Sequence, residues 1–238
     1  MNAATIKQRI RELSQPKQAE NLQRYFKTGP GEYGEGDIFV GIKVPKVRGL
    51  VKDFWMADEP IVRQLLASAI HEERFLALMI LVRQFERGLD TDRARIFRLY
   101  LASTDRINNW DLVDCSAPNI VGGYLWDKDR LPLYRLVESE SLWERRIAML
   151  ATFAFIRKQE FKDALAIAAR LLHDREDLIH KAVGWMLREI GKRDQATLEA
   201  FLDSHASVMP RTMLRYAIER FPEAKRQRYL RAKKASNG

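Results

Sequence analysis

The sequence predicts an all-α protein, built as a solenoid of stacked antiparallel helix pairs. Apolar residues recur at helical spacing along most of the 238 residues, and strand-like alternation bounded by turns is absent. Similar apolar blocks also recur at steps of 36, 36, 35 and 34 residues, opened by Arg74, Trp110, Arg146, Lys181 and Arg215. Each step has room for two helices of about 12–16 residues with their turns, which is typical of a helical-pair solenoid. We expect one domain over residues 1–238, an α-α superhelix with a concave basic face.

The helical pattern is clearest in three stretches, and residues that break helices lie between such blocks. Apolar residues repeat three and four positions apart at 73–88, 142–158 and 177–193. The segment from Thr28 to Gly41 is the one long irregular stretch, and five of its residues are glycines. A loop of this length is usually functional or disordered.

Composition and charge narrow the function classes. No run of about 18 apolar residues occurs, and the first 15 residues lack the apolar core of a signal peptide, so we expect a cytoplasmic protein. The single cysteine, Cys115, excludes an internal disulfide framework. The net charge of +9 and pI near 9.7 favour a polyanion such as nucleic acid or an anionic membrane surface as partner. The alternative is a soluble protein that happens to be basic.

The stretch NNWDLVD at 108–114 places an indole and a carboxylate on one helix face. Trp110 and Asp114 are four residues apart and therefore stack on the same side of a helix. Either preceding asparagine can cap this helix, and Asp111 then lies in the first turn, where the helix dipole favours an anion. Asp111 is thus explained without function and is expected to point elsewhere. Asp114 lies beyond the first turn; the alternative to a functional role is a surface carboxylate or a partner for a neighbouring cation.

A second tryptophan lies on the cationic face of the helix predicted at 177–192. This face carries Lys181, Trp185, Arg188 and Lys192, opposite the apolar residues Ile179, Val183, Met186, Leu187 and Ile190. An aromatic platform flanked by cations suits a nucleic-acid backbone and its bases. The alternative is a half-exposed tryptophan packed on the next repeat. Because equivalent positions of a solenoid line one surface, we expect Trp110, Arg146 and the Lys181–Trp185 turn to be neighbours.

Other chemistry finds no support in the sequence. The four histidines, at 71, 173, 180 and 205, show no metal-ligand spacing, and no phosphate-binding glycine motif precedes a helix. Cys115 has no evident base partner and is expected to be buried. We therefore expect no metal and no cofactor. The basic stretch at 224–234 is interpreted as a solvated helix end, with a DNA contact as the alternative.

Several stretches together resemble the AlkD-like family of DNA alkylation-repair glycosylases, which are built from HEAT-like repeats. The resemblance covers nearly the whole chain and is strongest at residues 24–48, 108–114, 143–150 and 180–189. It implies that the catalytic aspartate is Asp114 and that the sugar-contacting tryptophans are Trp110 and Trp185. It also implies DNA-binding roles for Tyr25, Arg146 and Arg188, and we add Lys181 and Lys43 as DNA contacts. Lys43 stands where some members have a polar neutral residue, so its role is open.

The resemblance implies excision of cationic N3- and N7-alkylated purines from double-stranded DNA, without a cofactor. An alkylated purine is already a good leaving group, and a carboxylate beside the sugar stabilises the developing oxocarbenium ion. An indole face adds cation–π attraction to the same sugar. We expect a monomer, with the Gly-rich loop at 29–37 as a mobile cover near Tyr25. Two alternatives are a non-catalytic DNA-structure-binding scaffold and a protein-interaction solenoid; the Trp110–Asp114 pair favours the glycosylase.

Overall fold

The computed structural model describes residues 1–231, and its regular secondary structure there is helical, which confirms the predicted fold class. Among these residues the pairing of extended backbone is limited to one parallel bridge between Ile38 and Ile70. The α-helices are α1 Ala3–Glu12, α2 Pro16–Tyr25, α3 Val44–Phe54, α4 Glu59–Leu66, α5 His71–Arg87, α6 Asp90–Leu101, α7 Trp110–Ala117, α8 Leu131–Leu136, α9 Leu142–Ala151, α10 Phe153–Ile156, α11 Lys162–Arg170, α12 Asp177–Gly191, α13 Gln195–His205, α14 Arg211–Ala217 and α15 Glu223–Leu230.

The five repeat blocks predicted from the sequence fall on the second helices of five successive helix pairs. Their opening residues lie on α5, α7, α9, α12 and α14, preceded by α4, α6, α8, α11 and α13. Within each compact unit of the chain, second helices of neighbouring pairs pack on each other: α5 on α7, and α12 on both α9 and α14. This stacking is what a helical-repeat architecture requires, because each pair buries its apolar face against the next. None of the described helices is long and apolar enough to cross a membrane.

The first compact unit, Met1–Ile120, is organised around α5. Helices α3, α4, α6 and α7 all pack against α5, and its aliphatic and aromatic residues are buried on every side. The first turns of this helix are nevertheless charged: His71, Glu72, Glu73 and Arg74 are all nearly inaccessible to solvent. Buried charges are costly unless they are paired, so this end of α5 marks a place where the fold has a specific electrostatic arrangement.

The second unit, Val121–Gly238 in extent and described to residue 231, is organised around α12. The apolar face that the sequence predicts for α12 is fully buried, and the positions of Lys181, Trp185 and Arg188 on the opposite face are half-buried. Gly184 permits the close approach of α14, because a Cβ atom there would lie 2.5 Å from the carbonyl oxygen of Met213. The predicted amphipathic pattern of this helix is therefore confirmed.

The Gly-rich loop is folded by contacts of its own backbone and acids. The carboxylates of Glu32 and Glu35 accept hydrogen bonds from the backbone N–H groups of Gly29 and Gly31, both at 2.9 Å. Gly41, at φ +87°, has no room for a side chain: a Cβ atom would lie 2.1 Å from the carbonyl oxygen of Gln15. The loop is thus fastened at its end, while its role as a cover stays a prediction. The single domain with a concave basic face also stays a prediction. The last residues of the basic stretch at 224–234, from 232 on, lie outside the described residues.

Candidate active site

Trp110 and Asp114 line one open pocket of about 400 Å³ in the first unit, as their spacing on α7 predicts. The helix begins at Trp110, and the side-chain oxygen of Asn109 accepts a hydrogen bond from the Trp110 backbone N–H at 2.8 Å. The cap fixes where α7 starts, and the helix turn then brings the carboxylate of Asp114 to the face that carries the indole. Tyr25 lines the same pocket from the end of α2.

Aromatic rings form one wall of this pocket. The indole of Trp110 stacks on Phe26 with ring centroids 5.0 Å apart, and Phe26 stacks in turn on Phe39 at 4.8 Å. Tyr25 meets Trp110 edge to face at 5.9 Å and is itself 65% exposed. Phe26 thus covers one face of the indole, and a ligand meets the remaining surface of Trp110 together with the Tyr25 ring. Stacked rings also hold the indole in place without a hydrogen bond to its nitrogen.

Asp111 also lines the pocket, so the expectation that it points elsewhere is wrong. It lies in the first turn of α7 as predicted, but its Oδ2 atom is 2.9 Å from Nε2 of His71. Its side chain is only 12% exposed. The sequence argument failed because it placed Asp111 from the helix periodicity of α7 alone. The beginning of α5 supplies His71, which draws the Asp111 carboxylate inward.

His71 connects Asp111 to a third carboxylate, Asp37, at the end of the Gly-rich loop. The Nδ1 atom of His71 is 3.1 Å from Oδ2 of Asp37. Arg74 donates to Oδ1 of Asp37 at 2.5 Å, and the side-chain amide of Asn109 donates to Oδ2 at 3.2 Å. Burial alone would raise the pKa of Asp37, but the hydrogen bond from His71 and the charge of Arg74 outweigh it and lower that pKa. Asp37 is therefore a buried, ionised anchor and not a surface acid of the loop.

The pKa of His71 is shifted in the direction that favours its charged form. Burial lowers this pKa, but the charge of Asp111 and the hydrogen bonds to Asp111 and Asp37 exceed that effect, so the net shift is upward. The imidazole lies against two rings, with centroids 4.3 Å from Phe39 and 5.2 Å from Phe26. A smaller, mostly apolar cavity of about 50 Å³ adjoins this group and shares Phe26 and Asp111 with the open pocket.

The pocket carries one cation from α3 and one thiol from α7. Arg48 is exposed and lines the pocket. Cys115 also lines it and is half-buried, where the sequence analysis expected a buried residue. Burial raises the pKa of the Cys115 thiol, and the charges of Asp111 and Asp114 raise it further. A thiol held in its neutral form is a poor nucleophile, so the two carboxylates set the chemistry of this pocket.

In the second unit, Lys181, Trp185 and Arg188 share the half-buried face of α12. Trp185 lies against Phe153 with ring centroids 5.9 Å apart. Lys181 pairs with Asp177 at 2.7 Å, and Arg188 pairs with Glu219. These pairs are partly exposed, so a phosphate can compete for the cations at small cost. Their DNA-binding role, and a surface shared with Trp110, stay predictions.

Arg146 and Lys43 differ sharply in exposure. Arg146 is only 4% exposed, and its guanidinium donates to the backbone carbonyl of Leu178 on α12. Little of the guanidinium surface is therefore accessible to a phosphate, although its role at DNA stays a prediction. Lys43 is exposed and immediately precedes α3, the helix that carries Arg48.

Sequence reasoning missed Asp37, His71 and Arg48. The contacts of His71 span 34 and 40 residues along the chain, a range at which helix periodicity carries no information. One signal was available: four consecutive polar residues, from His71 to Arg74, open a helix whose next eight residues, Phe75 to Val82, are all apolar. No group of three or more potential metal ligands is assembled among residues 1–231.

Two comparisons with known proteins bear on the family and the fold of this chain. The model of the family described as "DNA alkylation repair enzyme" matches residues 6–221. A solved structure of a protein described as a predicted DNA alkylation repair enzyme from Enterococcus faecalis superimposes with a TM-score of 0.67. The two chains are 17% identical, and the match covers 88% of this chain and 97% of that one. At this identity the structural match supports the fold alone. No curated protein matches the chain.

Proposed function

Because this chain belongs to the DNA alkylation repair enzyme family, which supports a role in the repair of alkylated DNA, we propose that it is a DNA glycosylase. The proposed reaction is hydrolysis of the N-glycosidic bond of cationic N3- and N7-alkylated purines in duplex DNA, the first step of base excision repair. The observation that carries the proposal is the meeting of Asp114, Trp110 and Tyr25 at one pocket. The family description names DNA alkylation but no particular lesion, so the proposed lesion class rests on the chemistry of this pocket.

The proposed chemistry suits a pocket lined by carboxylates, because the leaving base needs no proton donor. When the bond between C1′ and the purine nitrogen breaks, its electron pair passes to the base and cancels the positive charge there. The purine therefore leaves as a neutral molecule and needs no proton. The sugar is left as an oxocarbenium ion, and this is the charge that the protein must stabilise.

Asp114 is proposed to act on the sugar. Its carboxylate attracts the positive charge that develops at C1′, so it acts mainly in the transition state. The same carboxylate can orient a water molecule and accept its proton as the water adds to C1′, which leaves an abasic site. Trp110, held by Phe26, offers an indole surface to the sugar and adds cation–π attraction.

Exposed cations at the pocket are proposed to hold the DNA backbone. Arg48 lines the pocket and Lys43 precedes the same helix, so both can contact phosphates that flank the lesion. Such contacts position the duplex without reading its sequence. Together with the net charge of +9, they support a double-stranded DNA substrate and a salt-dependent affinity.

A product assay tests this function directly. The protein is incubated with duplex DNA treated with a methylating agent, and free 7-methylguanine and 3-methyladenine are measured by chromatography. Release of both bases, with abasic sites left in the DNA, supports a glycosylase. Salt-sensitive duplex binding with no base released would instead indicate a non-catalytic DNA-binding scaffold.

A further inference from the structure

His71 presents each of its ring nitrogens to a different carboxylate. Nδ1 is 3.1 Å from Asp37 and Nε2 is 2.9 Å from Asp111. A neutral imidazole has only one N–H group, so its other nitrogen would face a carboxylate oxygen lone pair to lone pair. The doubly protonated ring donates to both. The geometry therefore requires an imidazolium between two carboxylates, or a proton on one of the acids.

The surroundings of His71 favour the imidazolium. From the loop, Asp37 supplies a negative charge and Phe39 supplies an aromatic face. Phe26, which directly follows α2, supplies a second face. From α7, Asp111 supplies the second negative charge and Asn109 is neutral. On α5 itself, Arg74 is positive but pairs with Asp37. The carboxylate of Glu72 accepts hydrogen bonds from the backbone N–H groups of residues 40–42. A cation between two acids and two ring faces is well stabilised.

Asp111 is the member of this group that reaches the pocket. Its Oδ2 atom is held by His71, while its Oδ1 atom is buried and has no hydrogen-bond partner among residues 1–231. Of His71 and Asp111, only Asp111 lines the open pocket that also contains Asp114. A cation in the pocket therefore lies nearer to Asp111 than to the imidazolium, although the buried Oδ1 atom is not itself at the pocket surface. Two carboxylates in one pocket would normally repel each other, and the imidazolium behind Asp111 reduces that repulsion.

We propose that the Asp37–His71–Asp111 chain is a positioning device that holds the Asp111 carboxylate beside Asp114, and that this second carboxylate makes the pocket selective for positively charged ligands. The inference rests on the proposed function for its substrate class, a cationic purine nucleotide. Asp114 stabilises the charge that develops on the sugar. Asp111 favours the cation already present before the bond breaks, so a neutral base gains less from this pocket.

The test measures affinity and does not require turnover. Two duplexes of the same sequence are used: one carries a protonated pyrrolidine in place of a single deoxyribose, and the other carries an uncharged tetrahydrofuran there. The ratio of their dissociation constants reports selectivity for positive charge. One partly solvated charge pair changes affinity about three- to tenfold, so Asp111→Asn should reduce the ratio by that factor. His71→Gln should reduce it as well, because a neutral amide holds the Asp111 carboxylate less firmly than an imidazolium does.

A matched control separates local from global charge. Asp90→Asn removes the same unit of charge from a side chain that is 87% exposed and should leave the ratio unchanged. Thermal unfolding identifies any variant that does not fold, and Asp111→Asn, which keeps the shape of the side chain, is the milder of the two. An unchanged ratio in folded Asp111→Asn, or an equal loss of affinity for both duplexes, would overturn the selectivity. A folded His71→Gln with the wild-type ratio would overturn the role of His71.

Charge selectivity and base release can fail independently of each other. A wild-type protein that prefers the cationic duplex but releases no methylated base would contradict the glycosylase and leave the charge selectivity standing. A protein that releases base while Asp111→Asn keeps full selectivity would do the reverse.

Discussion

Replacement of Asp37 by asparagine should destabilise the first compact unit strongly. Asp37 is 5% exposed, and its carboxylate accepts hydrogen bonds from His71, Arg74 and Asn109. The amide keeps the size of the side chain but removes the charge, and so leaves Arg74 and His71 buried with an uncompensated positive charge. Removal of one partner of a buried ion pair costs about 3–5 kcal/mol, a large part of the roughly 5–15 kcal/mol that stabilises a typical domain.

Hydrogen exchange resolved by peptide is the suitable assay, because it reads each compact unit separately. Amides of α5 and α7 should lose protection in Asp37→Asn, by a factor of more than about 100 for a loss of 3 kcal/mol. Peptides from α12 in the second unit serve as an internal reference. Asp90→Asn, at an exposed site, is the matched control and should change protection little. A loss below tenfold in Asp37→Asn would refute the view that Asp37 is an ionised anchor.

Four further predictions concern the charge of His71, two arginines and the Gly-rich loop. The pKa of His71 is raised in the folded state, so the protonated ring stabilises the fold fully below the unfolded-state pKa of about 6.5 and loses this effect as pH rises through the folded-state pKa. The unfolding free energy of the first compact unit should therefore fall over that pH range, and His71→Gln should flatten the fall. Urea titration at several pH values measures both. Arg188→Ala should weaken binding to all duplexes equally and reduce the slope of log K against log salt by about 1, whereas an unchanged slope would mean no phosphate contact. Arg146→Ala should lower the melting temperature, because its buried guanidinium donates to the Leu178 carbonyl, and a reduced salt slope as well would support the predicted phosphate contact. Deletion of residues 31–36 should lower the rate of base release if the loop covers the site; wild-type release and DNA affinity would make it a spacer.

The parts of the structure that could be predicted from the sequence are those that depend on local spacing. The shared face of Trp110 and Asp114 follows from the helix repeat alone, and both line one pocket. The two faces of α12 follow for the same reason. Ile179, Val183 and Ile190 are buried on one face, and Lys181, Trp185 and Arg188 are half-buried on the other. Helix pairs at a period of 34–36 residues are local in the same sense, and they are present in both units.

Contacts between distant segments could not be predicted in this way. The direction of Asp111 depends on His71, 40 residues earlier, and the charge of His71 depends on Asp37, a further 34 residues earlier. The burial of Arg146 likewise depends on a contact with another helix, 32 residues away along the chain. Periodicity cannot distinguish a flank that faces solvent from one that faces the Leu178 carbonyl of another helix.

The central claim is that Asp114 stabilises the sugar cation, and single-turnover kinetics of Asp114→Asn test it most directly. Excess protein is mixed with a duplex that carries one 7-methylguanine, and release of the base is followed together with the dissociation constant for the same duplex. Removal of a charge that acts mainly in the transition state should lower the rate about 10²–10³-fold and change the affinity little. A rate within a few-fold of wild type, in a folded variant that binds the duplex normally, would contradict the account.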